Sequence, residues 1–209
     1  MLQRIREAFK RDDEPPMGGP VEVDETYVGG KRRNMPNSKR KTLTGRGAVG
    51  KTAVAGAKDR ASNQVSAQVV QSTDAPTLQG FVEGVTDPQA QIYTDDARAY
   101  VGMDRSHESV NHSVGEYVRD MAHTNGIESF WSVLKRAHKG VYHKFSKKHL
   151  QRYVSDFAGR HNLRDLNTID QMGYLVSGMV GKRLTYKSLK ADNGLASGAR
   201  SWKGNAPQV

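Results

Sequence analysis

Three acidic segments stand far apart in the chain: Asp24 in VEVDETYVGGK, Asp95 in IYTDDARAY and Glu128 in HTNGIESFWSVLKR. Carboxylates brought to one volume by separate elements are what a divalent-cation phosphoryl-transfer site requires. Such cations take oxygen ligands and stabilise both the attacking and the leaving oxygen. The pattern is sharpest around Glu128. On a 3.6-residue period Ile127, Phe130, Trp131 and Leu134 make one apolar stripe, while Asn125, Glu128, Ser132 and Lys135 make a polar stripe on another face. A helix that buries the first stripe aims an amide, a carboxylate and an ammonium from the second.

Taken singly, these residues are ordinary. A strand aspartate is usually solvated. Adjacent acids such as Asp95 and Asp96 at a strand end suit a turn or a helix N-cap. Glu128 and Lys135 suit a helix surface, and Asn125 suits a cap. Their conjunction carries the functional reading, in which Lys135 offers a point charge to a phosphate. Strand alternation groups Asp24 with Glu22 and Thr26, and Glu25 with Val23 and Tyr27. Parity alone leaves open which of Asp24 and Glu25 lines a site. Trp131 and Phe130 read as core.

Periodicity and punctuation locate the elements that hold these residues. Residues 1–14 read as a charged helix, broken by EPPMGGP. A strand is expected at 21–29, then a basic loop at 30–46, then a strand pair at 48–58 and 64–71 turning on KDRASN. Asp74 caps a helix over 74–85, with Leu78, Phe81, Val82 and Val85 at helical spacing. A short strand at 90–94 ends at Asp95, followed by a short helix at 96–102 and a strand near 108–113. Helices follow from Thr124 or Asn125, over 146–162 and over 168–179. From Lys190 onward the chain is small, polar and glycine-rich, and disorder is expected. This order predicts an α/β layout with a mixed sheet covered on both faces. In open sheets of this kind ligands bind beyond the carboxyl ends of strands, where Asp95 falls.

Two tempting motifs fail. Gly45, Gly50, Lys51 and Thr52 fit G-x-x-x-x-G-K-[ST], but no apolar strand precedes them and a strand follows, so the phosphate-loop context is missing. The seven histidines show no zinc-ligand spacing, and His107 and His112 fall on opposite strand faces.

Composition narrows the class further. The 209 residues fit one domain and can bury a core without disulfides. The absence of cysteine excludes disulfides, thiol catalysis and a zinc ribbon. No secretory signal and no membrane-length apolar run is found, so a cytoplasmic, nucleoid-associated protein is expected, with no membrane partner and no small-molecule substrate. The net charge of +10 and a pI near 9.8 call for a polyanionic partner, nucleic acid first. Basic residues cluster at 31–41, 135–148 and 182–190, which concentrates charge where phosphates displace counterions. Lys31, Arg32, Lys135, Arg136 and Lys139 are the expected DNA contacts.

On six blocks the chain resembles the catalytic domain of bacterial insertion-sequence transposases of the DDE class, in the ISXO-like group. The blocks are VEVDETYVGGK (21–31), GRGAVGKTAVAG (45–56), IYTDDARAY (92–100), VNHSVGEYVRD (110–120), HTNGIESFWSVLKR (123–136) and YHKFSKKHLQRYVSDFAGRHN (142–162). The resemblance implies an RNase H-like fold with a mixed central sheet of about five strands flanked by helices. It implies that Asp24, Asp95 and Glu128 ligate metal, here two Mg²⁺ or Mn²⁺ ions, with Asn125 and Lys135 as accessories. It implies metal-dependent strand cleavage and transfer on element ends and target DNA, by a homo-oligomer. The expected division is a helix stump and linker at 1–20, the catalytic domain at 21–185 and a flexible tail at 186–209. The group's N-terminal zinc ribbon and helix-turn-helix region are missing from this sequence. A catalytically silent DNA-binding remnant and an RNase H-like nuclease are the alternatives.

Overall fold

A computed structural model describes residues 1–10, 14–45, 47–95, 98–110 and 123–191. Its centre is a five-stranded sheet of order β3-β2-β1-β4-β5. The strands are β1 (Val21–Val28), β2 (Thr52–Asp59), β3 (Val65–Val70), β4 (Gln91–Asp95) and β5 (Ser106–Val110). The first three pair antiparallel, whereas β4 and β5 run parallel to β1. Around the sheet lie α1 (Leu2–Ala8), α2 (Asn37–Thr42), α3 (Ala75–Val85), α4 (Asn125–Ala137), α5 (Leu150–Asn162), α6 (Thr168–Met179) and α7 (Tyr186–Lys190). This is the mixed, helix-flanked α/β layout of the RNase H-like expectation.

Alternation along β1 and β2 builds two cores. Val21 and Val23, with Ala53, Ala55 and Ala57, face Leu78, Phe81 and Val82 of α3. Val28 and Val54 face Ile127, Phe130, Trp131 and Leu134 of α4, together with Leu150 and Val154 of α5. The apolar stripe read from the α4 sequence is thus buried, and Asn125, Glu128, Ser132 and Lys135 are exposed. Full burial of each side chain such as Ile127 or Leu134 contributes about 1.5–3 kcal/mol. Asp74 caps α3 as expected, accepting from the Thr77 N–H at 3.0 Å.

Helix α5 also closes the outer edge of β3. Asn162 accepts from the Val65 N–H and donates to its carbonyl, at 2.8 and 3.0 Å. Gln151 accepts from the Val69 N–H and donates to the Ala67 carbonyl, at 2.7 and 3.1 Å. Two amide side chains stand in for a sixth strand.

Several boundaries differ from expectation. Residues 47–50 form a turn rather than strand, with Gly47 and Gly50 at positive φ, so β2 starts only at Thr52. The loop at 30–46 carries a 3₁₀ turn at Arg32–Asn34 and α2. Strand β5 begins earlier, at Ser106; the rest of that expected strand and VNHSVGEYVRD beyond Val110 lie outside the described residues. The short helix expected at 96–102 is one 3₁₀ turn, Arg98–Tyr100, with residues 96 and 97 outside the description. The first segment packs onto the domain: Ala8 and Phe9 are buried, and Arg6 pairs with Asp156 of α5 at 3.3 Å. Of the expected tail, Tyr186–Lys190 is helical and residues 192–209 lie outside the description. No helix among the described residues is long and apolar enough to cross a membrane.

Candidate functional site

Parallel pairing sets two of the acids side by side. Glu22 of β1 stands opposite Tyr93 of β4, so two residues on, Asp24 and Asp95 lie level on neighbouring strands. Strand β4 ends at Asp95, while β1 runs on to Val28. Side-chain parity on β1 is resolved by hydrogen bonds. Asp24 faces α4, where its Oδ2 accepts from the Trp131 indole N–H at 3.0 Å. Its Oδ1 accepts from the Glu25 backbone N–H at 2.8 Å. Glu25 points to the other face and accepts from the hydroxyl of fully buried Tyr100 at 2.8 Å.

Helix α4, which carries Glu128, is anchored by a residue that sequence reasoning left unassigned. Glu22 is 1% exposed, and its Oε2 accepts from the Ile127 N–H at 2.9 Å, in the first turn of α4. Its Oε1 accepts from Arg60 Nε at 2.8 Å, and His123 Nδ1 lies 3.2 Å from the same oxygen. Arg60 in turn donates to the His123 carbonyl at 2.6 Å and stacks over the Tyr93 ring at 4.4 Å. Thr124 occupies the N-cap position without capping the backbone; its hydroxyl donates to Glu128 Oε1 at 3.5 Å. A carboxylate from the sheet therefore does the capping expected of Thr124 or Asn125. Gly126 permits this approach, since a Cβ there would sit 2.7 Å from Glu22 Oε2.

The acids sense one another. The Asp24 carboxyl is pushed from 3.8 up to about 7, first by burial, then by repulsion from Asp95 and Glu25, with a further push from Glu128. Glu25 is also raised, by burial first, with the Tyr100 hydrogen bond opposing and Asp95 adding. Crowded carboxylates of this kind make an all-oxygen donor set suited to a hard divalent cation. As the side chains stand, no three acidic or histidine residues among the described ones converge on one ion position. Glu128 is exposed at the rim, and Asn125 is exposed one turn before it. Asp96 lies outside the described residues. The expectation of no histidine metal cluster concerns His112 as well, which also lies outside them.

A cleft of about 860 Å³ opens along the last residues of β1, with Glu25 and Thr26 in its wall; Asp24, Asp95 and Glu128 do not line it. Its cations are Lys31, Arg32, Arg33, Lys51, Lys135 and Lys139. Four of the five expected DNA contacts therefore meet in one place, and Arg136 is the one that does not line it. Helix α4 widens into a π-turn at His138–Tyr142, which carries Lys139. Arg32 has a second job: its guanidinium donates to the carbonyls of Gly45, Arg40 and Leu43, pinning the basic loop to the end of β1. Arg33 and Lys51 were not singled out as DNA contacts from the sequence, although Lys51 sits in the glycine-rich match. A strand does follow that match, as expected, so it is not a phosphate loop.

Comparison with known proteins adds the family. A profile of the ISXO2-like transposase domain matches residues 16–162. A protein in transposable element ISH50 of Halobacterium salinarum (strain ATCC 700922 / JCM 11081 / NRC-1) is 31% identical over 163 residues, which is 71% of this chain and 54% of that protein. The chain thus spans about half the length of that relative. Looser structural likenesses are to a chain of the simian T-cell lymphotropic virus intasome solved with the PP2A regulatory subunit B56 gamma, and to the HTLV-2 integrase catalytic core domain solved with magnesium. The first has 14% identity and a TM-score of 0.43, over 73% of this chain and 50% of the other. The second has 15% identity and a TM-score of 0.41, over 76% of this chain and 92% of the other. With the whole sheet and all of α4 inside the matched profile, the chain belongs to the ISXO2-like transposase domain family.

Proposed function

We propose that this chain is the catalytic domain of a DNA transposase that cuts strands at element ends and joins the freed 3′ ends to target DNA, working as a homo-oligomer. Asp24, Asp95 and Glu128 would hold two Mg²⁺ or Mn²⁺ ions. Bound metal would supply Lewis acidity at the attacked phosphate and neutralise charge on the leaving oxygen. The observation that carries this reading is the setting of Asp24: it is held on the α4 side of β1 by Trp131, and its carboxyl is raised first by burial and then by like charge, from Asp95 on β4 first and from Glu128 on α4 last. A cation relieves that like charge, whereas a purely structural role gives no reason to place Asp95 beside it.

The chain's own groups do the rest. Trp131 fixes one oxygen of Asp24 and the Glu25 N–H fixes the other, so Asp24 enters binding with its rotamer already set. Glu128 is exposed on α4, the helix whose Trp131 holds Asp24. Asn125 offers an amide one turn away. Lys31, Lys135 and Lys139 hold DNA phosphates in the cleft, which places the scissile bond without base contacts. Water or a 3′-hydroxyl then attacks phosphorus in line, one P–O bond forming as the bond to the leaving 3′-oxygen breaks.

The test is Asp95→Asn with element-end DNA. In Mg²⁺ it should lose cleavage and strand transfer by at least about 10²–10³-fold, as loss of a main electrostatic group does, with DNA binding retained. Wild-type cleavage by Asp95→Asn would end the reading. Cleavage without joining of 3′ ends would instead mark a nuclease.

A further inference from the structure

The basic cleft does not stop at Lys51. A second, narrower cleft of about 230 Å³ shares Tyr27 and Lys51 with it and crosses the ends of β2 and β3 to Lys147. A third, of about 560 Å³, shares Val69, Gln71 and Lys147 with the second and follows the outer edge of β3 past Lys148. Shared walls make the three one groove, from Glu25 over the end of the sheet to the outer edge of β3. Lys31, Arg33, Lys51, Lys135, Lys139 and Lys147 are exposed along it. Among the described residues none of the six is in an ion pair. Glu25 at the inner end and Glu14 at the outer end are the acids that line it.

Size and chemistry select the occupant. The waist, about 230 Å³, is smaller than a pocket for an ordinary small ligand, about 300–1,000 Å³, which suits an extended chain passing through rather than a compact ligand. Tyr27 lies at that waist, 36% exposed, its phenol oxygen 3.3 Å from Thr73 Oγ1. The Thr73 contact holds the ring in place. A cationic groove that tracks the backbone, with an aromatic ring for bases, is the general form of a single-strand site.

We propose that this groove binds one unpaired DNA strand, its phosphates along the lysines and a base stacked on Tyr27, leading away from the phosphate that reacts. The direction of that strand rests on the reading of Asp24, Asp95 and Glu128 as the reacting centre; the binding itself does not.

The test is fluorescence anisotropy of the whole chain in EDTA, with a labelled single-stranded oligonucleotide and a blunt duplex of the same sequence. Lys51→Glu with Lys147→Glu should weaken single-strand binding at least about tenfold and flatten the salt dependence by about 0.7 log unit per lost phosphate contact. Tyr27→Ala should weaken it about tenfold or more, while Tyr27→Phe, which keeps the ring and loses only its tie to Thr73, should bind more tightly than Tyr27→Ala. Asp95→Asn, which leaves the lysines and the ring in place and removes a negative charge, should bind the single strand at least as tightly as wild type, so a failed cleavage assay and a failed groove are told apart. Unchanged single-strand affinity in the double charge reversal, or in Tyr27→Ala, overturns the proposal. So does a duplex that binds tighter than the single strand in the wild-type protein.

Discussion

Trp131 donates its indole N–H to Asp24 Oδ2 at 3.0 Å, tying α4 to β1. Gly56 on β2 makes this possible: it pairs with Asp24 in register, and a Cβ there would overlap the Trp131 ring. Asp24, Gly56 and Trp131 are therefore one packing unit under the acids. Gly56→Ala should cost about 1–3 kcal/mol, the usual penalty for overpacking a filled core. Trp131→Phe should weaken Mn²⁺ binding, because Asp24 loses the donor that orients it. Urea unfolding checks the first and calorimetric titration the second. A Gly56→Ala protein as stable as wild type would contradict the packing.

Burial and like charge give Asp24 a pH signature. Its folded value, about 7, exceeds the ordinary 3.8 that applies in the unfolded chain. Between those values the folded state keeps a proton that the unfolded state has released, so stability falls as pH rises through this window. Below it the contribution is whole; above it the full penalty is present. Asp24→Asn removes the titration while its amide oxygen still accepts from Trp131. In EDTA the variant should gain on wild type between pH 5 and pH 8, by on the order of 2–4 kcal/mol at 1.36 kcal/mol per unit. Adding Mg²⁺ at pH 8 should stabilise wild type and leave Asp24→Asn nearly unmoved. An Asn variant with the same offset at both pH values would remove the electrostatic case.

Glu22 is the acid that belongs to structure. It satisfies the Ile127 N–H, pairs with Arg60 and sits inside the protein. Glu22→Ala takes the carboxylate from Arg60 and the acceptor from a helix N–H together, so it should cost about 3–5 kcal/mol, as removing one partner of a buried pair does. A double-mutant cycle with Arg60→Ala should show the coupling as a loss smaller than the sum of the single losses. Additive losses would mean that the pair is not coupled. Neither substitution removes an acid assigned to metal, so metal affinity should fall only as far as α4 shifts.

Local signals carried much of this arrangement and long-range ones did not. Ile127, Phe130, Trp131 and Leu134 announce their buried face through spacing alone, and Asp74 announces its cap three residues before Thr77. Glu22 and Ile127 are 105 residues apart, and Asp24 and Trp131 are 107 apart. Nothing in either segment names the other, so Trp131 read as plain core and Glu22 as a neighbour of Asp24. Strand parity grouped Asp24 against Glu25 correctly yet left their sides open until α4 and Tyr100 were in place. Arg32 read as a phosphate contact, but its fork geometry also suits the three carbonyls it meets in the folded loop. One available clue was missed: Gly56, a glycine within an apolar strand, marks a close approach.

Helix α5 guards the outer edge of the sheet. An edge strand with free N–H and C=O groups is a template for pairing with another chain. On β3 those outward groups are occupied by Gln151 and Asn162 from α5. Asn162→Ala leaves the Val65 N–H and carbonyl without their partner, and Gln151→Ala does the same to Val69 and Ala67. Each should cost about 1–3 kcal/mol, the penalty for unsatisfied buried polar groups. The double variant should also self-associate with increasing concentration, because Val65, Ala67 and Val69 then present paired-strand geometry to solvent. Light scattering at matched concentrations checks this. A double variant that is destabilised yet stays monodisperse would keep the hydrogen bonds as stabilising contacts and remove their role as an edge guard.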